Sequence, residues 1–282
     1  MFRDDLLKDK RILITGGGSG VGRHMGRRFI ELGAEVIVCS RRAALLEETV
    51  EEFTGMGGRA SWHQLDIRVP RSVEEVVEAV WRDGPLDVLV NNAAANFISR
   101  TEDLSPGAMD AILNPTLHGT FYMTVACGKR WLADARKGTV LSIVSNGATN
   151  GSAFTVPSAM AKAGIVAMTR SLAVEWGARG VRLNAIAPGP FPTKGAWERL
   201  LPTEELAKTF ETGNPLGRAG RHSELVDLAA YLIADGSDYV HGELVTIDGG
   251  RWLQGAGTFN FLSALDDADW DGLKPKRGRD RG

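Results

Sequence analysis

The chain has 282 residues, 43% of them hydrophobic and 24% charged, enough to bury one full core in a single α/β domain. A formal net charge of -2 provides no basic field for nucleic acid or an anionic membrane surface, so neither is an expected partner. The two cysteines, Cys39 and Cys127, fall in an apolar strand pattern and a helical one, which argues against a disulfide framework and suits a reducing compartment.

In chain order, apolar β-branched runs alternate with amphipathic segments. The opening MFRDDLLKDK leads straight into RILIT (11–15), and EVIVC (35–39), ASWHQL (60–65), LDVLV (86–90), TVLSIV (139–144), VRLNAIA (181–187) and ELVTI (243–247) follow. Helical patterns, such as 21–32 and 71–82, lie between them. This alternation predicts βαβ units with right-handed crossovers, hence a Rossmann-like, doubly wound sheet of about seven parallel strands with helices on both faces. Residues 1–258 are expected to form the domain, with a lid over 191–215 and a tail over 259–282 whose KPKRGRDRG end is disordered. No apolar run reaches the roughly 18 residues of a membrane helix, and the final RDRG matches no sorting or anchoring signal. The expectation is a soluble, cytoplasmic protein.

The first strand runs into Thr15-Gly16-Gly17-Gly18-Ser19-Gly20-Val21-Gly22 and then a helix. Glycines there let the backbone turn sharply and approach a pyrophosphate, whose charge meets the free N–H groups of the helix start. The strand–glycines–helix order marks a dinucleotide site rather than a plain tight turn. At the end of the second strand, where a carboxylate would select NAD, stand Ser40, Arg41 and Arg42, a hydroxyl and two guanidiniums suited to a 2′-phosphate. NADP(H) is the cofactor this predicts; two solvated arginines at a helix start are the bland alternative. Asp66 and Ile67 close the third strand, with Asp66 placed to accept from the adenine amino group, and Asn92, Ala93 and Ala94 follow the fourth. Ligands of such sheets lie at the strands' carboxyl ends.

TGGGSGVG, NNAA at 91–94, Lys162 and PGP at 188–190 together resemble the short-chain dehydrogenase/reductases over residues 8–250. NNAAANFISRTEDLSP (91–106), VPSAMAKAGIVAMTRSLAVEWG (156–177), PGPFPTKGAWERL (188–200) and FNFLSALDDADWD (259–271) are similar to the 2,4-dienoyl-CoA reductases, the tail to their mitochondrial branch. The resemblance implies an NADPH-dependent reduction of a conjugated acyl-CoA in fatty acid breakdown and a homotetramer. It places Gly16, Gly18, Ser19, Gly20, Val21 and Arg41 at the cofactor's phosphates, Lys162 at the nicotinamide ribose, and Pro188, Gly189, Pro190 and Phe191 beside the nicotinamide. Arg68 and Arg199 fall where those reductases contact substrate, with Phe97 and His118 as further substrate candidates.

Most of the wider family carries a tyrosine four residues before the lysine. Here that position is Ser158, on the same helix face as Lys162. The mitochondrial branch substitutes a tyrosine where this chain has Gly147, and the peroxisomal branch an aspartate where it has Thr116; His118 stands in place of an asparagine. Ser145 matches the active-site serine. Ser145 and Ser158 are thus the candidate oxyanion donors, Lys162 the anchor and electrostatic element, and a water, organised by Thr116 or His118, the proton source. Ser158 also fits a plain helix start behind Pro157, and His118 a packed histidine. A 2-enoyl-CoA reductase, a carbonyl or hydroxyacyl dehydrogenase, and a catalytically weak NADP(H)-binding protein are the alternatives. The five histidines are scattered, and no metal site is expected.

Overall fold

In the computed structural model, which describes residues 2–193 and 203–273, each run expected to be extended is a strand. They are β1 (Arg11–Thr15), β2 (Glu35–Ser40), β3 (Arg59–Gln64), β4 (Val88–Asn91), β5 (Gly138–Ile143), β6 (Val181–Pro188) and β7 (Leu244–Ile247). All pair in parallel, in the order β3-β2-β1-β4-β5-β6-β7. The ladder on β4 begins two residues later than the apolar run suggests. Leu86 gives its carbonyl to the Trp131 indole at 2.6 Å, and the Asp87 carboxylate accepts from the Arg11 amide at 2.8 Å. The first half of the sheet runs outward from β1 and the second half returns through β4, so a crevice opens between their carboxyl ends.

Helices cover both faces. On one side α1 (Gly20–Glu31), α2 (Ala43–Gly55) and a later helix, His222–Ile233, bury Phe29, Leu46, Phe53 and Leu225 against β1, β2 and β4. On the other, α3 (Pro70–Arg82) and α5 (Gly119–Ala133) bury Val73, Val77, Met123 and Trp131. Each such large side chain contributes on the order of 1.5–3 kcal/mol of transfer free energy. β1, β2 and β4 read as continuous apolar runs because they are covered on both faces. Cys39 and Cys127 are buried free thiols, and burial pushes the Cys39 thiol up to about 12.

Between them, α4 (Pro106–Leu113) continues without a break into α5 through a π turn at Asn114–His118. Past β5 come a short α6 (Gly147–Asn150) and the long α7 (Val156–Trp176), and past β6 comes α8 (Glu204–Thr212); α9 is His222–Ile233. Beyond β7 the chain forms a short α10 (Arg251–Gln254), then α11 (Asp267–Leu273). Asn260 ties this stretch down, its Nδ2 donating to the carbonyls of Leu253 and Gln254 at 2.8 and 3.1 Å. The KPKRGRDRG end lies outside the described residues. No helix among the described residues is long and apolar enough to cross a membrane.

Candidate active site

Two hollows adjoin at the carboxyl edge of the sheet. The first is a groove of about 320 Å³ lined by Thr15, Gly16, Gly18, Ser19, Ser40 to Arg42 and Asn92 to Ala95, among others. Its shape depends on two glycines. Gly16 sits at φ +67°, and a Cβ on Gly22 would lie 2.6 Å from both Asn92 Nδ2 and the Gly16 carbonyl. α1 starts at Ser19 with no side-chain cap and no acidic residue in its first turn, so its first N–H groups are left for an anion.

Thr15 fastens the groove together, a role not apparent from the glycine pattern. Its Oγ1 accepts from the Asn92 and Ala93 amides at 3.0 Å each, and Asn92 Nδ2 donates to the carbonyls of Thr15 (3.0 Å) and Gly16 (3.3 Å). Asn92 therefore spends its side chain on the glycine loop and offers the groove its backbone. Gly20 turns the chain at φ +54°, and Val21 packs into the core rather than lining the groove.

At the far end of the groove Arg42 Nη2 donates to Ser19 Oγ at 3.3 Å, and Gln64 Nε2 holds the Arg41 carbonyl at 2.9 Å. No carboxylate is among the described residues lining the groove. Asp66 accepts from Arg68 through Nη2 at 2.6 Å and Nε at 2.9 Å, and this guanidinium holds its carboxyl below the usual carboxylate range. Ile67 and Arg68 line the groove, so Arg68 stands with Arg41 and apart from the cleft that holds Ser145. The uncapped helix start, the glycine cradle and the cationic end together fit a dinucleotide.

The second hollow is a cleft of about 940 Å³ that contains Ser145 and Ser158. Ser145 follows β5; Ser158 lies in the first turn of α7, behind Pro157, and is 8% exposed. Neither hydroxyl has a partner among the described residues. One turn on, Lys162 is buried, and its Nζ donates to the Ile143 carbonyl at 2.6 Å. Burial pushes this ammonium down to about 8.

Pro188, Gly189 and Phe191 form another wall, and Gly189 is required by the approach of Asp248, whose Cβ would lie 2.6 Å from a Cβ there. Pro190 sits just outside, in a small neighbouring hollow. Asn146, Phe154, Phe210, Arg251 and Trp252 complete the cleft. Phe154 takes φ +63°, uncommon for an aromatic residue and costing on the order of 1–3 kcal/mol. Its carbonyl accepts from the Ser99 amide at 2.9 Å. Asn146 Nδ2 reaches Asp248 Oδ2 at 2.5 Å, which fixes the Ser145 loop to the end of β7. Asp248 in the DGG after the last strand was the available signal; its partner 102 residues away was not.

Other candidates lie elsewhere. Thr116 is fully buried, and its Oγ1 accepts from the Ala95 amide at 3.1 Å, buttressing the groove. His118 is exposed, pairs its Nδ1 with Asn114 Oδ1 at 3.0 Å and does not line the cleft. The π turn, which the sequence pattern did not reveal, sets which way these residues face. Phe97 is exposed, 36% accessible, outside the cleft, whereas its neighbours Asn96 and Ile98 line it. Arg199 lies outside the described residues, as does the middle of the expected lid. No group of three or more His, Cys, Asp or Glu side chains among the described residues could hold a metal ion.

A doubly wound sheet with a dinucleotide groove opening onto a hydroxyl-bearing cleft defines an oxidoreductase of the nicotinamide-dependent class. The family model described as enoyl-(acyl carrier protein) reductase matches residues 16–251. A Bacillus subtilis protein named a probable 2,4-dienoyl-CoA reductase, (2E)-enoyl-CoA-producing, is 40% identical over 249 residues, 88% of this chain and 98% of its own. A Caenorhabditis elegans protein named probable 2,4-dienoyl-CoA reductase 3, (3E)-enoyl-CoA-producing, is 40% identical over 278 residues, 96% of this chain and 90% of its own. The crystal structure of a short chain dehydrogenase from Bacillus anthracis superposes with a TM-score of 0.79 at 39% identity, covering 86% of this chain and 96% of that one. The chain belongs to the short-chain dehydrogenase/reductase family.

Proposed function

We propose that this chain is an NADPH-dependent reductase of conjugated acyl-CoA thioesters, of the 2,4-dienoyl-CoA kind, acting in fatty acid breakdown as a cytoplasmic homotetramer. The observation that carries the reading is the pair of unpartnered hydroxyls, Ser145 and Ser158, in a cleft whose described lining holds no tyrosine and no carboxylic acid. NADPH bound in the groove supplies the hydride. The two hydroxyls donate to the thioester oxygen as negative charge develops on it, and Lys162 beneath them adds a positive field. Carbon is then protonated by water among the neutral polar groups of the cleft, such as Asn96, Asn150 and Thr155. Reducing a ketone would leave an alkoxide needing a stronger acid than a serine. Phe210 on α8 and Phe191 face the same cleft, in keeping with a lid over an acyl chain.

NADPH oxidation should be seen with 2,4-hexadienoyl-CoA. Turnover of acetoacetyl-CoA alone would overturn the reading, and tight NADPH binding with no turnover of dienoyl-, enoyl- or acetoacetyl-CoA would make the chain a binding protein. The product isomer reports where the proton goes: after hydride addition at C5, protonation at C4 gives the 2-enoyl thioester and protonation at C2 the 3-enoyl.

Preference for the phosphorylated cofactor follows from Ser40, Arg41 and Arg42 at a groove end whose described lining holds no carboxylate. Ser40→Asp combined with Arg41→Ala is expected to shift the ratio of NADPH to NADH dissociation constants by about tenfold or more towards NADH. An unchanged ratio would remove the assignment.

A further inference from the structure

One charged side chain, Arg251, is present among the described residues lining the cleft, and the chemistry proposed above does not use it. It is half-buried, with Cζ 4.3 Å from the centroid of the Phe210 ring and Nη1 donating to the Phe210 carbonyl at 2.6 Å. These contacts fix the plane of the guanidinium while using one of its five N–H donors. No carboxylate among the described residues completes it. Asp248, the nearby acid, already accepts from the Gly250 amide through Oδ1 and from the Trp252 amide and Asn146 Nδ2 through Oδ2, and Arg251 forms no ion pair among the described residues. A guanidinium partly withdrawn from water without a counter-ion costs stability unless an anion arrives with the ligand.

We infer that Arg251 is the anion-binding residue of the cleft, taking a phosphate or carboxylate group of the thioester substrate on the free edge of its guanidinium. Held flat by Phe210, that edge is already oriented, so little freedom is lost when the anion binds. The inference rests on the thioester reading. Its anion has two sources with one chemistry: the phosphates of the coenzyme A end, or a carboxylate at the far end of the acyl chain.

Arg251→Gln keeps a donor for the Phe210 carbonyl and removes the charge; Arg251→Lys keeps the charge. Kinetics with dienoyl thioesters of coenzyme A and of N-acetylcysteamine, the latter with and without a terminal carboxylate on the acyl chain, separate the sources. If a phosphate is bound, Arg251→Gln lowers the kcat/KM preference for the coenzyme A ester by roughly tenfold or more. If a carboxylate is bound, the preference for the carboxylate-bearing chain falls instead. Arg251→Lys should restore most of whichever preference is lost, which a merely structural defect would not allow. Retention of both preferences in Arg251→Gln overturns the inference. Calorimetric titration with free coenzyme A and with adipate separates it from the reductase reading. Weaker binding of either probe by Arg251→Gln, without turnover of any thioester by the wild type, sinks the reductase and keeps the anion site. Thioester turnover with both preferences retained in Arg251→Gln and equal binding of the probes by the two proteins keeps the reductase and removes the anion site.

Discussion

Ser158→Ala is expected to lower kcat by about ten- to a thousandfold while leaving the NADPH dissociation constant nearly unchanged. The hydroxyl lies at the cleft, 8% exposed, one helical turn before Lys162 and without a partner among the described residues. A donor held in a buried position and aimed at developing negative charge stabilises the transition state far more than the ground state, so its loss falls on kcat. The unfolding midpoint should barely move, because removing an unpartnered hydroxyl breaks no bond of the fold. Single-turnover kinetics with 2,4-hexadienoyl-CoA, with NADPH binding measured separately, test this. Equal rates would leave Ser158 as the start of a helix behind Pro157.

Lys162→Met is expected to stabilise the protein at neutral pH while cutting the rate and weakening cofactor binding. Lys162 is buried, its Nζ donates to the Ile143 carbonyl, and burial lowers its pKa from 10.5 to about 8. The unfolded chain therefore holds this proton more tightly than the folded one. Stability accordingly rises as pH climbs from about 8 towards 10.5, and below about 8 the buried charge costs roughly 3 kcal/mol. Methionine keeps the apolar stem and removes the charge. Losing the bond to Ile143 gives back about 1 kcal/mol, leaving a net gain of about 1–2 kcal/mol, a few degrees in melting temperature. Melts of both proteins at pH 7 and near pH 10.5 are the measurement: the advantage of the variant should shrink at the higher pH. A variant that melts lower at both would show the ammonium to be a net stabiliser. A lysine retained at this cost is the mark of a group kept for the site, where a positive field beside the two serines assists charge developing on substrate oxygen.

The sequence by itself determined the seven strands, their parallel pairing and the glycine loop. Those signals are local: buried strands of a covered sheet must be apolar, and a backbone that meets a phosphate must lack side chains. It also determined that Ser158 and Lys162 share a face, since four residues make about one helical turn, and the cleft indeed brings Ser158 together with Ser145 from the end of β5. Only the tertiary structure decided what surrounds them. Arg68 turns to Asp66 at the groove and not to the cleft, Thr116 holds Ala95, and His118 points outward from a π turn that periodicity cannot show. Asn146 with Asp248 and Arg251 with Phe210 pair across 102 and 41 residues. Such partners are chosen by the order of the strands and the packing of the segments after β6 and β7, which join residues that no spacing along the chain relates.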